Sequence, residues 1–173
     1  MAGLYELLLR GVETATGPAG LVVIWVYSFL IAFVLPLPSE VVLAAPLDLG
    51  LSTTGRLATI AVVSGFGKAV GSVVAFHIGQ EVKSSGPVLR FLERHGYDVR
   101  AWSERQIVRL ARRFGYGGLA IALSVPFFPD TVSIYAFAIL ERDYLRFALA
   151  TFAGSVGRLL VTVFVVGGTL TIV

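Results

Sequence analysis

Four charged residues lie in or beside stretches of this sequence that otherwise carry almost no charge. They are two acids, Glu40 and Asp130, and two bases, Lys68 and Arg158. A carboxyl group can take up and release a proton, whereas an ammonium or a guanidinium can hold a phosphate, the guanidinium with a forked pair of donors. The four formal charges sum to zero, so mutual pairing is feasible. Ser39, directly before Glu40, is a candidate member of the same site.

The composition excludes a soluble setting for these charges. The chain has 173 residues, of which 56% are hydrophobic and 14% charged, and its mean hydropathy is +0.83. Soluble domains are about 45–50% apolar and about 25% charged. An ordinary soluble domain, a disordered chain and a coiled coil are therefore excluded. The absence of cysteine from the sequence also excludes a disulfide scaffold and thiolate chemistry.

Charge-poor stretches indicate a polytopic membrane protein. Each is long enough to cross a hydrocarbon core of about 30 Å, which takes roughly 20 helical residues. The stretches are residues 14–39, 57–80, 114–140 and 147–173. Charged residues at the centre of a bilayer cost about 2.5–3.5 kcal/mol each on insertion scales. The four charges must therefore be paired, near an interface, or hydrated.

We expect these charges to line a central polar cavity. In this interpretation Glu40 and Asp130 exchange protons, while Lys68 and Arg158 hold a phosphate. The alternative is a network of ion pairs with a purely structural role. His77, on the same predicted helix as Lys68, is more typical of a packing residue than of a proton relay.

Prolines interrupt two of the four stretches, at Pro36 and Pro38 and again at Pro126 and Pro129. Helices broken at membrane depth are tolerated where the freed backbone is buried in protein or lines a wet cavity. We therefore predict a re-entrant hairpin at each break, and continuous helices in the second and fourth stretches.

Small residues pattern the second stretch. Gly67, Gly71 and Gly79 lie on one four-residue repeat, with Ala75 between them. Such a ridge lets helix backbones approach closely in lipid, so we assign these glycines to helix packing.

The two halves of the chain have the same organisation. Each has a broken segment with an acid and then a whole helix with a cation, at an offset of about 90 residues, and such inverted repeats indicate a transporter. The predicted fold is therefore an all-α integral membrane protein, an inverted repeat of re-entrant hairpin plus transmembrane helix with amphipathic interfacial helices. The predicted segments are an interfacial helix (1–16), hairpin 1 (19–50), a transmembrane helix (57–80), a basic amphipathic region (81–115), hairpin 2 (116–140) and a transmembrane helix (144–173).

The basic region predicts the orientation. Residues 81–113 hold eight bases against four acids, and an excess of Lys and Arg marks the cytoplasmic side. The chain carries no P-loop, dinucleotide, H-E-x-x-H or G-x-S-x-G motif. We therefore expect no enzyme, no catalytic residue, no metal and no cofactor. A nucleic-acid partner is not expected either, because no known binding module is present.

Three motifs in this order resemble the DedA/VTT-domain membrane proteins, also called SNARE-associated. They are residues 38–40 (PSE), 67–71 (GKAVG) and 126–130 (PFFPD), and the resemblance extends over residues 21–168. It implies lipid transport between leaflets, as flipping of an isoprenoid-phosphate carrier or scrambling of phospholipids, with proton coupling. Many bacterial members carry arginines beside the second motif's proline, where this chain has Ser124 and Thr131. It looks closer to the branch with P-x-x-P-D.

The resemblance implies membrane lipids, with protons, as partners, and a multi-pass protein of the prokaryotic plasma membrane. Two other functions stay open at this point. One is an ion- or proton-coupled transporter of small solutes, and the other is a membrane scaffold that transports nothing. The oligomeric state is also open.

Overall fold

In a computed structural model, the described secondary structure is entirely helical, which confirms the predicted all-α class. The structure describes residues 2–34, 37–82, 108–126, 130–140 and 142–170. The elements are α1 (Ala2–Glu13), α2 (Gly17–Phe33), a 3-10 helix (Ser39–Ala44), α3 (Thr53–Val82), α4 (Val108–Ser124), α5 (Asp130–Leu140) and α6 (Tyr144–Leu170).

Two of these helices are long and apolar enough to cross a membrane. By length and composition the candidate spans are Thr53–Ile78 of α3 and Tyr144–Val165 of α6. Both lie in stretches for which the sequence predicts continuous helices. Helix α2 is apolar but shorter, at 17 residues, or about 25 Å.

The chain reverses direction after α2. Helix α2 ends at Phe33, and Leu47 then lies against Gly20 in its first turns, where an added Cβ on Gly20 would fall 2.7 Å from Leu47 Cδ1. The segment between these residues therefore returns to the end at which α2 began. The proline-rich break predicted from the sequence falls at this reversal, and Pro36 itself lies outside the described residues.

Helix α3 then runs parallel to α2 in close contact. An added Cβ on Gly67 would lie 2.5 Å from the Trp25 carbonyl oxygen, and one on Gly71 would meet Phe29 and Ala32. Contacts that advance together along both helices establish the parallel direction. Gly79 lies in the last turn of α3.

The same path occurs after α4. The Tyr116 hydroxyl accepts hydrogen bonds from the backbone N–H groups of Arg142, at 3.4 Å, and Asp143, at 2.8 Å. The chain therefore returns to the beginning of the apolar part of α4 before α6 starts. The second predicted break falls between α4 and α5, and of its two prolines Pro129 lies outside the described residues.

Helix α6 runs parallel to α4, again through glycines. An added Cβ on Gly154 would lie 2.7 Å from the Ala120 carbonyl oxygen, and one on Gly157 would lie 2.9 Å from Ser124 Oγ. We refer to residues 17–82 as the N-terminal unit and to residues 108–170 as the C-terminal unit.

The two units run in opposite directions. Gly65 of α3 lies against Val156 of α6, with an added Cβ 2.7 Å from Val156 Cγ2. Farther along α3, the Phe76 ring is 4.6 Å from the Tyr144 ring. Residues later in α3 therefore contact residues earlier in α6, so the two long helices are antiparallel.

Helix α4 changes direction at one glycine. Gly115 has φ +51°, a conformation that glycine adopts without the penalty a Cβ would bring. Residues 108–114 therefore form a helical segment distinct from the apolar part that follows. Most of the predicted basic region, residues 83–107, lies outside the described residues, and its interfacial placement stays a prediction, as does that of α1.

Two hydrophobic clusters support the units. Helices α3 and α6 each contribute buried residues to both clusters. Lys68 on α3 and Arg158 on α6 lie between the buried residues of one cluster and those of the other. The first cluster includes Ile24, Tyr27, Val42, Leu47, Ile60 and Leu159. The second includes Phe76, Leu119, Leu123, Ile134, Phe137 and Phe147.

Candidate functional site

Asp130 is the centre of a buried cluster of charges. It is the first residue of α5, and its Oδ2 accepts a hydrogen bond from the Lys68 ammonium. Its other oxygen, Oδ1, lies 2.5 Å from Nη2 of Arg158. All three side chains are at least 96% buried, with exposed fractions of 1%, 2% and 4% for Lys68, Arg158 and Asp130. One carboxylate therefore sits between two cations.

Glu40 completes the cluster. It lies in the first turn of the 3-10 helix, with Oε1 4.0 Å from Nη1 of Arg158. Ser39, also buried, places its hydroxyl 3.4 Å from Oε2 of Glu40. The structure thus brings together the residues that the sequence predicts for the polar site, and the formal charge of the cluster is zero. Their role in a pathway stays a prediction.

Two of the three ion pairs of this cluster cross between the two units, whereas the third, between Arg158 and Asp130, lies within the C-terminal unit. Lys68 of the N-terminal unit pairs with Asp130 of the C-terminal unit, and Arg158 of the C-terminal unit approaches Glu40 of the N-terminal unit. Each acid lies beside a break in the chain, and each base lies within a long helix. A rearrangement at either break would therefore move an acid away from the base on the long helix of the other unit.

The two bases lie well inside the candidate spans. Lys68 is 15 residues from Thr53 and 10 from Ile78, or about 22 Å and about 15 Å along the helix. Arg158 is 14 residues from Tyr144 and seven from Val165, or about 21 Å and about 10 Å. At such depth an unpaired charge costs several kcal/mol, so each base requires the acids that contact it.

Side chains satisfy backbone carbonyls where α2 ends. The last four carbonyl groups of a helix have no partner within it. Thr131 Oγ1 donates to the Ile31 carbonyl at 3.0 Å, and the Tyr135 hydroxyl donates to the Phe33 carbonyl at 2.9 Å. Both donors belong to α5, so the C-terminal unit caps the broken helix of the N-terminal unit.

The second break is capped by a member of the charge cluster. Arg158 Nε donates to the Leu123 carbonyl at 2.8 Å, one residue before α4 ends. Within the first break, the Tyr27 hydroxyl donates to the Pro38 carbonyl at 2.9 Å. The caps made by the tyrosines and the threonine could not be predicted from the sequence, because no charge or motif marks these residues.

At the two positions where many bacterial members carry arginines, this chain has hydroxyl residues that bond to backbone carbonyls. Ser124 Oγ donates to the Ala120 carbonyl within α4 at 2.7 Å, and Thr131 caps α2. The guanidinium of Arg158, which arrives from α6, nevertheless lies at this break beside Asp130. A guanidinium therefore reaches the second motif from a different position of the sequence.

Buried hydroxyls adjoin the charges. Ser28 of α2 donates to Ser64 of α3 at 2.8 Å, one helical turn before Lys68. The contacts of Gly67 and Gly71 hold α3 against α2, and this close approach keeps the two serine hydroxyls within hydrogen-bond distance.

His77 lies away from the cluster. It is exposed, and its Nδ1 is 3.3 Å from the Tyr144 hydroxyl. Nine residues separate it from Lys68, or about 13 Å along α3. Across the part of the chain that the structure describes, no group of three His, Asp or Glu residues is placed to hold a metal ion.

Comparisons with known proteins identify the family. The family model of the VTT domain matches residues 37–167, which include Pro38 of the first break, the second break, all of α3, most of α6 and all four charges of the cluster. Neither the comparison with curated proteins nor the comparison with solved structures gives a match. The two candidate spans agree with a membrane-associated protein, and this family is generally assigned to transport rather than to catalysis. Because the match covers well over half of its length, the chain belongs to the VTT-domain family of membrane proteins, the DedA family.

Proposed function

We propose that this protein moves a lipid that carries a phosphate group between the two leaflets, with uptake of a proton by the charge cluster. The observation that carries the proposal is the position of Asp130 between Lys68 and Arg158. Two buried cations on opposite sides of one anion form a site for a tetrahedral anion as well as for a carboxylate. Phosphate recognition by a guanidinium and an ammonium follows the same charge and donor pattern.

Charge balance links the lipid to a proton. The cluster is neutral when Glu40 and Asp130 are ionised, so a phosphodiester that enters adds one negative charge. Protonation of Asp130 restores neutrality and releases the two cations for the phosphate. Loss of that proton lets the carboxylate displace the phosphate again. A neutral cluster is the least costly state at membrane depth.

The chain path gives the lipid two opposite approaches. In the proposed arrangement the two reversals are re-entrant hairpins, and the two units are inverted repeats within one multi-pass protein of a prokaryotic plasma membrane. Three observations support this: each reversal brings the chain back to its starting end, each long helix is parallel to the helix before its break, and the long helices are antiparallel. Asp130 and Glu40 then mark the tips of hairpins that enter from opposite faces.

Reconstitution tests the proposal. The full chain is placed in liposomes that contain a fluorescent phospholipid, and a membrane-impermeant quencher reports the fraction in the outer leaflet. We expect exchange above that of empty liposomes, and loss of exchange in Asp130→Asn and in Glu40→Gln. Glu13→Gln is the matched control, because Glu13 is exposed on α1 and lies outside the cluster.

A second lipid arm separates the two substrate classes. The same liposomes carry an isoprenoid phosphate, and an impermeant phosphatase measures its exposure in the outer leaflet. Movement of the isoprenoid phosphate alone assigns carrier flipping, and movement of phospholipid assigns scrambling. Movement of neither lipid overturns the proposal and favours a transporter of small solutes. Full activity in both acid variants overturns the role of the proton.

The scaffold alternative predicts a different pattern. A protein that transports nothing would tolerate neutral replacement of Glu40, Asp130 or Arg158 wherever the variant chain still folds. The transport proposal requires that these variants fold in detergent and yet fail to move lipid.

A further inference from the structure

A stripe of hydroxyl groups on α6 continues the charge cluster along the helix. Thr151, Ser155, Arg158 and Thr162 are spaced by four, three and four residues. Residues at this spacing lie on one face of a helix. Arg158 faces Asp130 from this stripe, so the hydroxyls on either side of it face the same interior region.

The oxygen atoms of all three hydroxyls are buried without a hydrogen-bond partner among the described residues, and at Thr151 and Ser155 the whole residue is buried. Thr151 is 0% exposed and Ser155 is 1% exposed, and neither Oγ1 of Thr151 nor Oγ of Ser155 has a hydrogen bond there. In the ion pair nearby, Oδ1 of Asp130 and Nη2 of Arg158 are close, but the contact lacks hydrogen-bond geometry. Buried polar groups are nearly always hydrogen-bonded to protein or to ordered water.

The burial of these groups restricts what can bind them. In the resting chain Thr151 and Ser155 are at most 1% exposed, so their partner there must be a molecule small enough to be enclosed within the protein. A water molecule needs only the volume of about one probe sphere and two to four polar partners. Water also both donates and accepts, so it can bond to a hydroxyl, a carboxylate and a guanidinium at once.

Aromatic residues pack next to the N-terminal end of the hydroxyl stripe, beside Thr151. Phe147 lies one turn before Thr151 on α6 and is completely buried, with its ring 4.6 Å from the ring of Phe76. An apolar contact of this kind offers water no partner. Water bound to Thr151 therefore finds no polar partner on the side of these aromatic rings.

We propose that Thr151 and Ser155 bind a short file of ordered water molecules that hydrates the buried Asp130–Arg158 pair from the side of the Phe76–Phe147 contact. The file supplies hydrogen bonds to both hydroxyls and to the carboxylate and guanidinium atoms that lack them. This site does not require that the protein transport lipid, and it is a property of the resting chain.

Radiolytic footprinting of the full chain in detergent tests the file directly. Ionising radiation converts bound water into hydroxyl radicals, which add an oxygen atom to the side chains beside the water. We expect oxidation of Phe147 or Leu159, the buried neighbours of the stripe on α6, although neither is accessible to bulk solvent. In the double variant Thr151→Val/Ser155→Ala we expect the oxidation of these two residues to fall to the level of buried side chains elsewhere in the same irradiated protein.

Thr59→Val is the matched control for that experiment. The Thr59 hydroxyl donates to the Gly55 carbonyl within α3 at 2.9 Å, so its loss leaves the stripe intact, and oxidation at Phe147 or Leu159 should stay at the level of the unmodified chain. Absence of oxidation in the unmodified chain, or oxidation that persists in the double variant, overturns the proposal.

Thermal unfolding provides a second readout. If water bonds to Thr151, Thr151→Val removes one of its partners, and we expect Tm to fall by about 2–4 °C. If the hydroxyl is dry, removal of a buried group without a partner relieves its desolvation penalty, and Tm stays the same or rises. An unchanged or raised Tm therefore contradicts the proposed file.

Discussion

Lys68 of α3 forms its ion pair with Asp130, a residue 62 positions later that begins α5 in the other unit. The cation on the long helix of the N-terminal unit is therefore neutralised by an acid of the other unit. The N-terminal unit supplies the cation and the C-terminal unit supplies the anion, so association of the two units and burial of the charges must occur together.

Breaking this pair should destabilise the protein more than removing both of its members. Lys68→Met or Asp130→Asn leaves uncompensated charge in the interior, and each should lower the free energy of unfolding by about 3–5 kcal/mol. The double variant keeps Arg158 and Glu40, which are neutral together, so its loss should be clearly smaller than the sum. Unfolding in detergent by denaturant, followed by circular dichroism, measures the cycle. Strict additivity would contradict the pairing.

Arg158→Lys should weaken the protein although the charge is kept. A guanidinium reaches the Leu123 carbonyl with Nε and the Asp130 carboxylate with Nη2, and a single ammonium cannot bond both in that geometry. An unsatisfied buried carbonyl costs about 1–3 kcal/mol. Arg146→Lys serves for comparison, because the Arg146 side chain is 71% exposed, and its effect should be within about 0.5 kcal/mol. Equal effects of the two changes would exclude the proposed double contact.

Gly67→Ala should force α2 and α3 apart. The new Cβ would lie 2.5 Å from the Trp25 carbonyl oxygen and 3.1 Å from Ser28 Cβ, and overpacking of this kind costs about 1–3 kcal/mol. Gly117→Ala is the opposite case. That position in α4 has nothing within 4 Å of an added Cβ, so alanine should stabilise the helix by up to about 1 kcal/mol. The unfolding free energies of the two variants should therefore change in opposite directions, and a shared sign would refute the close packing.

Tyr135→Phe should destabilise the C-terminal end of α2. The variant removes the donor to the Phe33 carbonyl while it keeps the ring, so the expected loss is about 1–3 kcal/mol of unfolding free energy. Tyr144→Phe is the comparison, because its hydroxyl contacts the exposed His77 and water can replace it. Hydrogen exchange of the α2 amides would report the same effect locally, and unchanged exchange in Tyr135→Phe would argue against the cap.

The four charges of the site could be predicted because their environment is so unfavourable. Charges in apolar stretches must lie beside each other or beside water, so Glu40, Lys68, Asp130 and Arg158 are expected to lie together from the sequence alone. Which base contacts which acid depends on how the two units face each other, and residue types and spacing do not determine that. The crossing of the pairs became visible only in the structure.

The capping donors could not be predicted in the same way. Tyr135 and Thr131 lie in an apolar helix where hydroxyls are unremarkable, and their partners are backbone atoms freed by a break in another unit. The α6 stripe is different, since the spacing of Thr151, Ser155 and Arg158 is legible in the sequence. A search for hydroxyls on the face of each buried charge would have found it.

Arg158 joins the second break to the charge of Asp130, with one nitrogen on the Leu123 carbonyl and another beside the carboxylate. A change in protonation there would weaken the hold on the guanidinium and, through it, on the last turn of α4. The protein thus contains a physical link through which a change of charge on the Asp130 carboxylate would move the backbone at the end of α4.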